Sequence, residues 1–247
     1  MTESNSERAL VIGASSGIAQ AVIEQLLLSA SVTYIDAVSR SLPQKDFGGS
    51  VQHFEVDSSC ESQIKAFISA RKAEGITYRY VVCTIGLLHN PELGIKPEKR
   101  LEDINADAMQ YYFTVNTIMP TLWLKNLPAV VAKNAPTTMA FFSARVGSIS
   151  DNRLGGWYGY RASKSALNMV IKNAAIEYAR RHKQVTLMAY HPGTVDTGLS
   201  KPFQANVPQK KLFTPAFTAE CLVQQLQSAQ AEHSPYYVDW DAQNIPW

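Results

Sequence analysis

The sequence has few cysteines, little net charge and no long hydrophobic run. Its three cysteines, Cys60, Cys83 and Cys221, are widely separated and odd in number, which fits neither a disulfide framework nor a metal cluster. The formal net charge is only +2, too small to predict binding to nucleic acid or to an anionic membrane. No apolar run approaches the roughly 20 residues of a membrane-spanning helix. We therefore expect no metal site, no nucleic acid and no membrane as a partner.

The first residues also lack the pattern of a signal peptide. The stretch MTESNSERALVIG is polar and then enters a strand-like segment directly, without the apolar region that a secretory signal needs. Unpaired cysteines suit a reducing compartment. We therefore expect a cytoplasmic protein.

Strand and helix patterns alternate along the chain, and no composition break or repeat divides its 247 residues. A long helix is expected at 103–126, with a kink at Pro120. Strands are predicted at 9–12, 32–38, 51–56, 78–84, 137–142, 184–190 and 236–240. Such alternation favours one α/β domain over 1–247, with a doubly wound parallel sheet of about seven strands and helices on both faces.

Two local features add detail to this plan. Ser58 and Glu61 have the spacing of a capping box and are predicted to begin a helix. The segment 198–214 has no periodicity and is rich in proline and lysine. It is predicted to be either a linker or a mobile lid over a substrate.

Near the start of the chain, a glycine turn follows the first strand and precedes a helix. Gly13, Gly17 and Ala19 have the spacing G-x-x-x-G-x-A. Glycines let the backbone approach a pyrophosphate, and a helix N-terminus offers it N–H groups. The segment therefore predicts a dinucleotide phosphate site, and the alternative is an ordinary glycine-rich turn.

The second strand bears on the choice between NADP and NAD. An acidic residue at its end would bind the adenosine ribose, whereas an arginine accommodates a 2′-phosphate. Asp36 has the usual distance from the glycines, but we place it inside the strand and Arg40 in the loop that follows. NADP(H) is therefore the predicted cofactor, with NAD(H) as the alternative.

Tyr160 and Lys164 lie four residues apart in a run of helical period. The two side chains share one helix face, and a cation within about 4–6 Å lowers a tyrosine pKa by about 1–3 units. Such a pair could exchange a proton near neutral pH. A Tyr-x-x-x-Lys spacing also arises by chance, so the pair carries weight only beside a cofactor site.

These motifs together resemble the short-chain dehydrogenase/reductase family over essentially the whole chain, with a Rossmann-type fold. The matching positions are Gly13, Gly17 and Ala19 for its glycine motif, Asp57 for its adenine-contacting acid, 83–86 for its Asn-Asn-Ala-Gly turn, Asn116, Tyr160 and Lys164 for its catalytic residues, and Pro192, Gly193 and Thr197 for its nicotinamide loop. Segments 147–149, 155–161 and 245–247 resemble its C-factor and sniffer-type carbonyl reductases.

The resemblance implies an NADP(H)-dependent oxidoreductase that transfers a hydride between nicotinamide and a carbonyl or alcohol substrate. Tyr160 would be the general acid/base, Lys164 would lower its pKa and bind the nicotinamide ribose, and Asn116 would anchor a relay water. The implied cofactor-binding residues are Gly13, Ser15, Ser16, Gly17, Ile18, Arg40, Asp57, Thr84, Gly86, Tyr160, Lys164, Pro192, Gly193, Val195 and Thr197. A homodimer or homotetramer through the helices at 103–126 and 157–180 would be usual for the family.

The main departure from the family pattern is Ala144, which stands where relatives have the serine that binds the substrate carbonyl. Loss of such a donor can cost about 10²–10³ in rate. Ser143 is adjacent but should point the other way, and Ser148 could replace the missing serine if its loop folds back over the pocket. Which serine serves the carbonyl stays open. An alternative function is therefore an NADP-binding regulatory or signalling protein with little turnover.

The substrate pocket is expected at the carboxyl ends of the strands. Segments 86–95, 144–157 and 193–213 are its predicted lining. Trp157, Tyr158 and Phe203 are candidate aromatic walls, although they could equally belong to the core or to an interface. Apolar walls suit a ketone, an aldehyde or a quinone, and the sequence does not choose among them.

Overall fold

The computed structural model describes residues 7–41 and 45–247. The strands are β1 (Glu7–Ile12), β2 (Val32–Ser39), β3 (Val51–Glu55), β4 (Tyr80–Cys83), β5 (Thr137–Phe142), β6 (Val185–His191), β7 (Thr194–Val195), β8 (Leu212–Phe213) and β9 (Tyr236–Asp239). The helices are α1 (Gly17–Leu27), α2 (Glu61–Ala73), α3 (Ala106–Phe113), α4 (Met119–Asn126), α5 (Tyr158–Arg181) and α6 (Pro215–Ser228). Seven strands form one parallel sheet in the order β3-β2-β1-β4-β5-β6-β9.

The central strands are apolar because the sheet is covered on both faces. Every residue of β4 and β5 is buried, as expected for parallel strands between two helical layers. One core contains apolar residues of α1 and α6, and the other contains residues of α2, α4 and α5. The predicted Rossmann-type doubly wound sheet is confirmed.

The strand β1 pairs in parallel with β4. The chain proceeds outward from β1 to β2 and β3 on one side of this pair and from β4 to β5, β6 and β9 on the other, so the direction of strand order reverses there. In open α/β sheets, such a reversal leaves a crevice at the carboxyl ends of the strands, where ligands bind. The segments that begin at Gly13, Thr84, Ser143 and Pro192 leave the sheet at this edge. The topology therefore brings most of the predicted site segments to one edge.

The prediction of one continuous helix over 103–126 is wrong. The chain forms α3, then a π-helical turn at Thr114–Ile118, then α4. Pro120 lies in the first turn of α4, where the missing N–H of proline is tolerated. The π turn carries Asn116, and such turns are frequent at functional sites.

The predicted capping box is also wrong. Cys60 is the N-cap of α2 and makes no side-chain cap hydrogen bond. The Ser58 hydroxyl instead accepts a hydrogen bond from the indole N–H of Trp123 at 2.9 Å. A buried indole needs an acceptor, and this tertiary contact takes the hydroxyl that the local pattern assigned to the helix.

The segment 198–214 has more regular structure than its sequence predicts. It contains short 3₁₀ turns at Lys201–Asn206 and Gln209–Lys211 and then β8, which pairs with β7. The Asp196 amide donates to the Phe213 carbonyl at 2.8 Å. This backbone hydrogen bond links the two ends of the segment.

In the described part of the chain, no helix combines the length and hydropathy needed to cross a bilayer.

Candidate active site

The glycine turn after β1 has the geometry of a phosphate cradle. Gly13 has a φ of +86°, and a Cβ there would lie 2.6 Å from Oγ1 of Thr84, so only glycine fits. At Gly17 a Cβ would meet nothing within 4 Å, which leaves the N-terminus of α1 open. Ser16 caps α1 through its hydroxyl, which accepts from the Ala19 amide at 3.1 Å. These residues fit a dinucleotide pyrophosphate.

Thr84 joins the glycine turn to the end of β4. Its hydroxyl lies 3.1 Å from the carbonyl oxygens of Ile12 and Gly13 and 3.3 Å from the Ser16 hydroxyl. The Thr84 amide also donates to the Ile12 carbonyl at 2.9 Å. A threonine in place of the family's asparagine therefore keeps the two loops at the sheet edge together.

Asp36 lies inside β2, as the sequence predicted. Its side chain is fully buried and accepts hydrogen bonds from Arg8 at 3.1 Å and from the Tyr78 hydroxyl at 2.5 Å. A buried carboxylate needs such partners. Asp36 is therefore engaged within the fold rather than presented to a ribose.

Arg40 and Asp57 follow β2 and β3 at the same edge of the sheet. Arg40 is exposed. The Asp57 carboxylate accepts from the amide and the hydroxyl of Ser59 at 2.9 and 2.8 Å. These hydrogen bonds, with a smaller contribution from Arg40, hold the Asp57 pKa below its usual value. Neither residue lines the cavity of about 820 Å³ described below.

Tyr160 and Lys164 lie in the first two turns of α5, and both are buried. The Lys164 Nζ donates to the Phe142 carbonyl at 2.7 Å. Burial raises the pKa of the Tyr160 phenol, and the nearby Tyr237 adds to the rise. Burial also lowers the pKa of Lys164 from 10.5 to about 8. Burial sets the direction of the Tyr160 shift in this structure, and the lowering of the tyrosine pKa by the lysine stays a prediction.

Asn116 is fully buried in the π turn between α3 and α4. Its amide nitrogen donates to the Leu87 carbonyl at 2.9 Å and to the Ser163 hydroxyl at 3.0 Å. Its carbonyl oxygen accepts from the Leu87 amide at 2.7 Å. A Cβ on Gly86 would lie 3.3 Å from the Lys164 Nζ and 3.7 Å from the Asn116 Oδ1. Asn116, Gly86 and Lys164 thus lie together.

Neither serine near Ala144 has a hydroxyl free to bind a substrate carbonyl in this structure. The Ser143 hydroxyl donates to Oδ1 of Asn168 at 2.6 Å. The Ser148 hydroxyl donates to the Pro246 carbonyl at 2.5 Å and accepts from the Asp151 amide at 3.0 Å. Ser148 does not line the cavity, whereas Ser143 and Ala144 do.

One cavity of about 820 Å³ joins these groups. It runs from the glycine turn past Tyr160 and Lys164 to the segment after β6. Trp157 and Phe203 form an aromatic wall, with ring centroids 5.4 Å apart. Tyr158 is not part of the lining. The predicted site residues that line the cavity are Ser16, Gly17, Ile18, Thr84, Gly86, Ser143, Tyr160, Lys164, Pro192, Gly193, Val195 and Thr197, whereas Gly13, Ser15, Asn116 and Ser148 lie outside the lining.

Several lining residues were not predicted. His191 ends β6 at the edge where ligands bind, a position that the strand-end rule could have indicated. Its Nδ1 is buried without a hydrogen-bond partner among the described residues. Burial, aided by Arg145, lowers its pKa to about 4. Arg161 donates to the Gly156 and Val146 carbonyls at 3.0 and 3.3 Å, contacts that no local pattern reveals.

The chain is similar to proteins of known family over most of its length. The short chain dehydrogenase family model matches residues 7–208. A 1-hydroxy-2-glutathionyl-2-methyl-3-butene dehydrogenase of Rhodococcus sp. (strain AD45) is 26% identical over 96% of this chain and 98% of its own length. The C-signal protein of Myxococcus xanthus is 26% identical over 60% of this chain and 83% of its own length.

Solved structures share the fold. The carbonyl reductase Sniffer of D. melanogaster has a TM-score of 0.83 at 16% identity, covering 98% of this chain and 99% of its own. An NADPH-bound carbonyl reductase from chicken fatty liver has a TM-score of 0.83 at 20% identity, with the same coverage. The likeness extends over the whole sheet and both helical layers.

Proposed function

Because the chain belongs to the short-chain dehydrogenase family and is an oxidoreductase, we propose that it uses NADP(H) to interconvert a carbonyl compound and its alcohol. The observation that carries the proposal is the single cavity of about 820 Å³ that reaches both the glycine turn and the buried Tyr160–Lys164 pair. A cofactor site and a proton donor in one cavity are what hydride transfer to a carbonyl requires.

The first half of the proposal concerns the cofactor. The N-terminus of α1, with Ser16 and Gly17, would hold the pyrophosphate through backbone N–H groups. Arg40 is exposed after β2 and can receive a 2′-phosphate, whereas Asp36 is occupied by Arg8 and Tyr78. The choice of NADP(H) over NAD(H) rests on this difference. When bound, the nicotinamide supplies a hydride to the carbonyl carbon or accepts one from the alcohol.

The second half concerns the proton. A tyrosine keeps its proton at neutral pH, and burial raises the pKa of Tyr160 further, so its Oη can donate to a developing alkoxide. Lys164, with a pKa of about 8, can gain or lose a proton near neutrality and so return one to the phenol. Asn116 packs beside Gly86 and Lys164. It would anchor a water molecule that relays protons between Lys164 and solvent. Lys164 would also bind the nicotinamide ribose hydroxyls.

The substrate end of the cavity is mainly apolar. Trp157, Phe203 and Ala144 form part of its lining, which favours a ketone, an aldehyde or a quinone with an apolar body. Neither Ser143 nor Ser148 offers its hydroxyl there. We therefore propose that Tyr160 binds the carbonyl oxygen without a serine partner. The segment 198–214 contributes Phe203 and Val207 to the lining and would act as a lid.

A regulatory protein that binds NADP(H) with weak turnover is the second candidate. The alanine at position 144 favours it, because a lost oxyanion donor can lower the rate by about 10²–10³. The similarity to the C-signal protein over 60% of this chain points the same way. Against it, a module that only binds a dinucleotide has no use for a buried Tyr160–Lys164 pair.

The test is a fluorescence titration with NADPH and with NADH of the wild type, Arg40→Ala and Arg100→Ala. We expect the wild type to prefer NADPH, and Arg40→Ala to lose about tenfold or more of that preference, because a charge-assisted phosphate contact is removed. Arg100 is an exposed arginine that does not line the cavity, so its variant should behave as wild type. Tighter binding of NADH than of NADPH would contradict the cofactor assignment. NADPH consumption with a panel of carbonyls then separates the enzyme from the regulatory protein.

A further inference from the structure

The helix that carries Tyr160 begins without a cap of its own. The N-cap residue of α5 is Trp157, which has a φ of +53° and makes no side-chain cap hydrogen bond. Gly155 and Gly156 before it also have positive φ values, of +65° and +64°, and no acidic residue lies in the first turn. The first N–H groups of a helix need acceptors from elsewhere when the local chain supplies none.

Glu98 supplies these acceptors from the connection between β4 and α3. Its backbone carbonyl accepts from the Trp157 amide at 2.5 Å. Its carboxylate Oε2 accepts from the Gly159 amide at 3.1 Å. The residue is only 3% exposed, and no salt bridge to it is found among the described residues. The start of α5 is therefore the hydrogen-bond partner of this buried side chain through Oε2, whereas Oε1 is buried without a hydrogen-bond partner among the described residues.

Gly159 permits this approach. A Cβ at Gly159 would lie 2.8 Å from Oε1 of Glu98 and 2.4 Å from Cδ2 of Tyr112. The Tyr112 hydroxyl donates to the Leu88 carbonyl at 2.7 Å, and its ring packs edge-on against Tyr160 with centroids 6.3 Å apart. Glu98 and Tyr112 thus both pack against the Cα of Gly159, the residue before Tyr160.

We propose that Glu98 is a positioning residue for Tyr160. Its carboxylate fixes the first turn of α5 at Gly159, the residue before Tyr160. The same connection contributes Leu88 to the cavity lining, and Leu88 and Tyr160 belong to one buried apolar cluster. The proposal rests on the proposed function for its effect on rate. Its structural content, an acceptor that holds the start of α5, is independent of that function.

Two substitutions separate the hydrogen bond from the charge. Glu98→Gln keeps an oxygen that can accept from the Gly159 amide and removes the charge. Glu98→Asp keeps the charge and withdraws the acceptor by one methylene. Since a displacement of about 1 Å can lower a rate by about 10²-fold, we expect Glu98→Asp to lower kcat by about 10- to 100-fold. We expect Glu98→Gln to stay within about threefold of wild type, because a neutral amide acceptor replaces the carboxylate at the same N–H.

The control is Glu102→Asp, the same change at an exposed glutamate of the same connection, which should leave kcat unchanged. NADPH affinity should change much less than kcat in every variant, because the glycine turn that would hold the pyrophosphate is untouched. If Glu98→Gln loses activity and Glu98→Asp retains it, the charge and not the acceptor matters, and the proposal is overturned. If Tm and NADPH affinity fall together while the folded fraction keeps its kcat, Glu98 serves stability alone, which also overturns it.

Amide hydrogen exchange of the peptide 157–164 tests the proposal without any turnover. Exchange should be faster in Glu98→Asp than in wild type, Glu98→Gln or Glu102→Asp, because the Gly159 amide loses its acceptor. Equal exchange in all four proteins would overturn the positioning role. If the wild type reduces no carbonyl but the exchange rates separate as expected, the proposed function fails and the positioning of α5 stands.

Discussion

The two ends of the cavity, which we propose to hold the cofactor (the cofactor end) and the carbonyl substrate (the carbonyl end), are built in different ways. The cofactor end is made of β1, the glycine turn and α1, with Thr84 from the neighbouring strand as a brace. The carbonyl end depends on contacts between residues that are distant in the chain: Glu98 with Gly159, Tyr237 with Ala144, and Pro246 with Ser148, separated by 61, 93 and 98 positions. A local strand, turn and helix therefore supply most of the cofactor end, with Thr84 as its long-range contact, whereas the contacts named at the carbonyl end are all long-range.

This difference has a functional meaning. A phosphate site needs only backbone N–H groups and space, which a strand, a glycine turn and a helix provide in many proteins. A carbonyl site must place a proton donor to within a fraction of an ångström. At this end the chain uses the Tyr237 hydroxyl to hold the Ala144 carbonyl at 2.8 Å, and it uses the C-terminal residues to hold Ser148.

The largest effect is expected from Gly13→Ala, which disturbs the glycine turn at the cofactor end and leaves the carbonyl end unchanged. The new Cβ must adopt a positive φ and lies 2.6 Å from Oγ1 of Thr84, a side chain fixed by two carbonyls. We expect a loss of about 3 kcal/mol in the free energy of unfolding, from backbone strain and overpacking together. Urea unfolding measures it.

Gly48→Ala is the matched control for Gly13→Ala. Gly48 also has a positive φ, of +76°, but a Cβ there meets nothing within 4 Å. Its cost should therefore be the backbone strain alone, about 1–2 kcal/mol. Equal losses in the two variants would show that the contact with Thr84 does not restrict the turn.

The next effect in size is expected from Ala144→Ser, which sharpens the carbonyl end. Ala144 lines the cavity beside Tyr160, and a hydroxyl there would add a donor for the developing alkoxide. We expect kcat for carbonyl reduction to rise by up to about 10²-fold. Ser148→Ala should leave kcat nearly unchanged, because its hydroxyl is bound to Pro246. A large loss of rate in Ser148→Ala would instead return the oxyanion role to that serine.

The smallest effect concerns Lys164, where the two ends meet. In the folded protein the pKa of Lys164 is about 8, against 10.5 for an ordinary lysine. Between these values the unfolded chain binds more protons than the folded one, so a rise in pH stabilises the fold. From pH 8 to pH 9.5 this contribution amounts to about 2 kcal/mol, and Lys164→Met should lack it. If the difference in unfolding free energy between wild type and Lys164→Met is the same at both pH values, the lysine pKa is not lowered.

The sequence predicts features that depend on neighbours in the chain. The strands fall within a few residues of their predicted positions, and Asp36 lies inside β2 because an apolar strand pattern surrounds it. The Tyr160–Lys164 pair shares the first turns of α5 because four residues make one helical turn. The glycine turn follows β1 because strand, turn and helix are one local unit.

The features that sequence reasoning missed depend on tertiary contacts. The π turn at Asn116 is stabilised by hydrogen bonds to Leu87 and Ser163, which no periodicity encodes. The raised pKa of Tyr160 reflects its burial, which the Tyr-x-x-x-Lys spacing does not encode. Ser58 binds Trp123, 65 positions away, and not its own helix. Glu98 has no sequence motif at all, because its partner Gly159 is 61 positions distant.

The most direct test of the proposed function compares the wild type with Tyr160→Phe, measuring NADPH affinity and NADPH consumption on a carbonyl panel with the same protein samples. If the glycine turn and α1 bind the cofactor and the Tyr160 hydroxyl supplies only the proton, both proteins bind NADPH equally. The variant then consumes NADPH at least about 10²-fold more slowly, the size expected for a lost general acid. Equal consumption by both proteins, or none by the wild type, would contradict the assignment of Tyr160 as the proton donor of a carbonyl reductase.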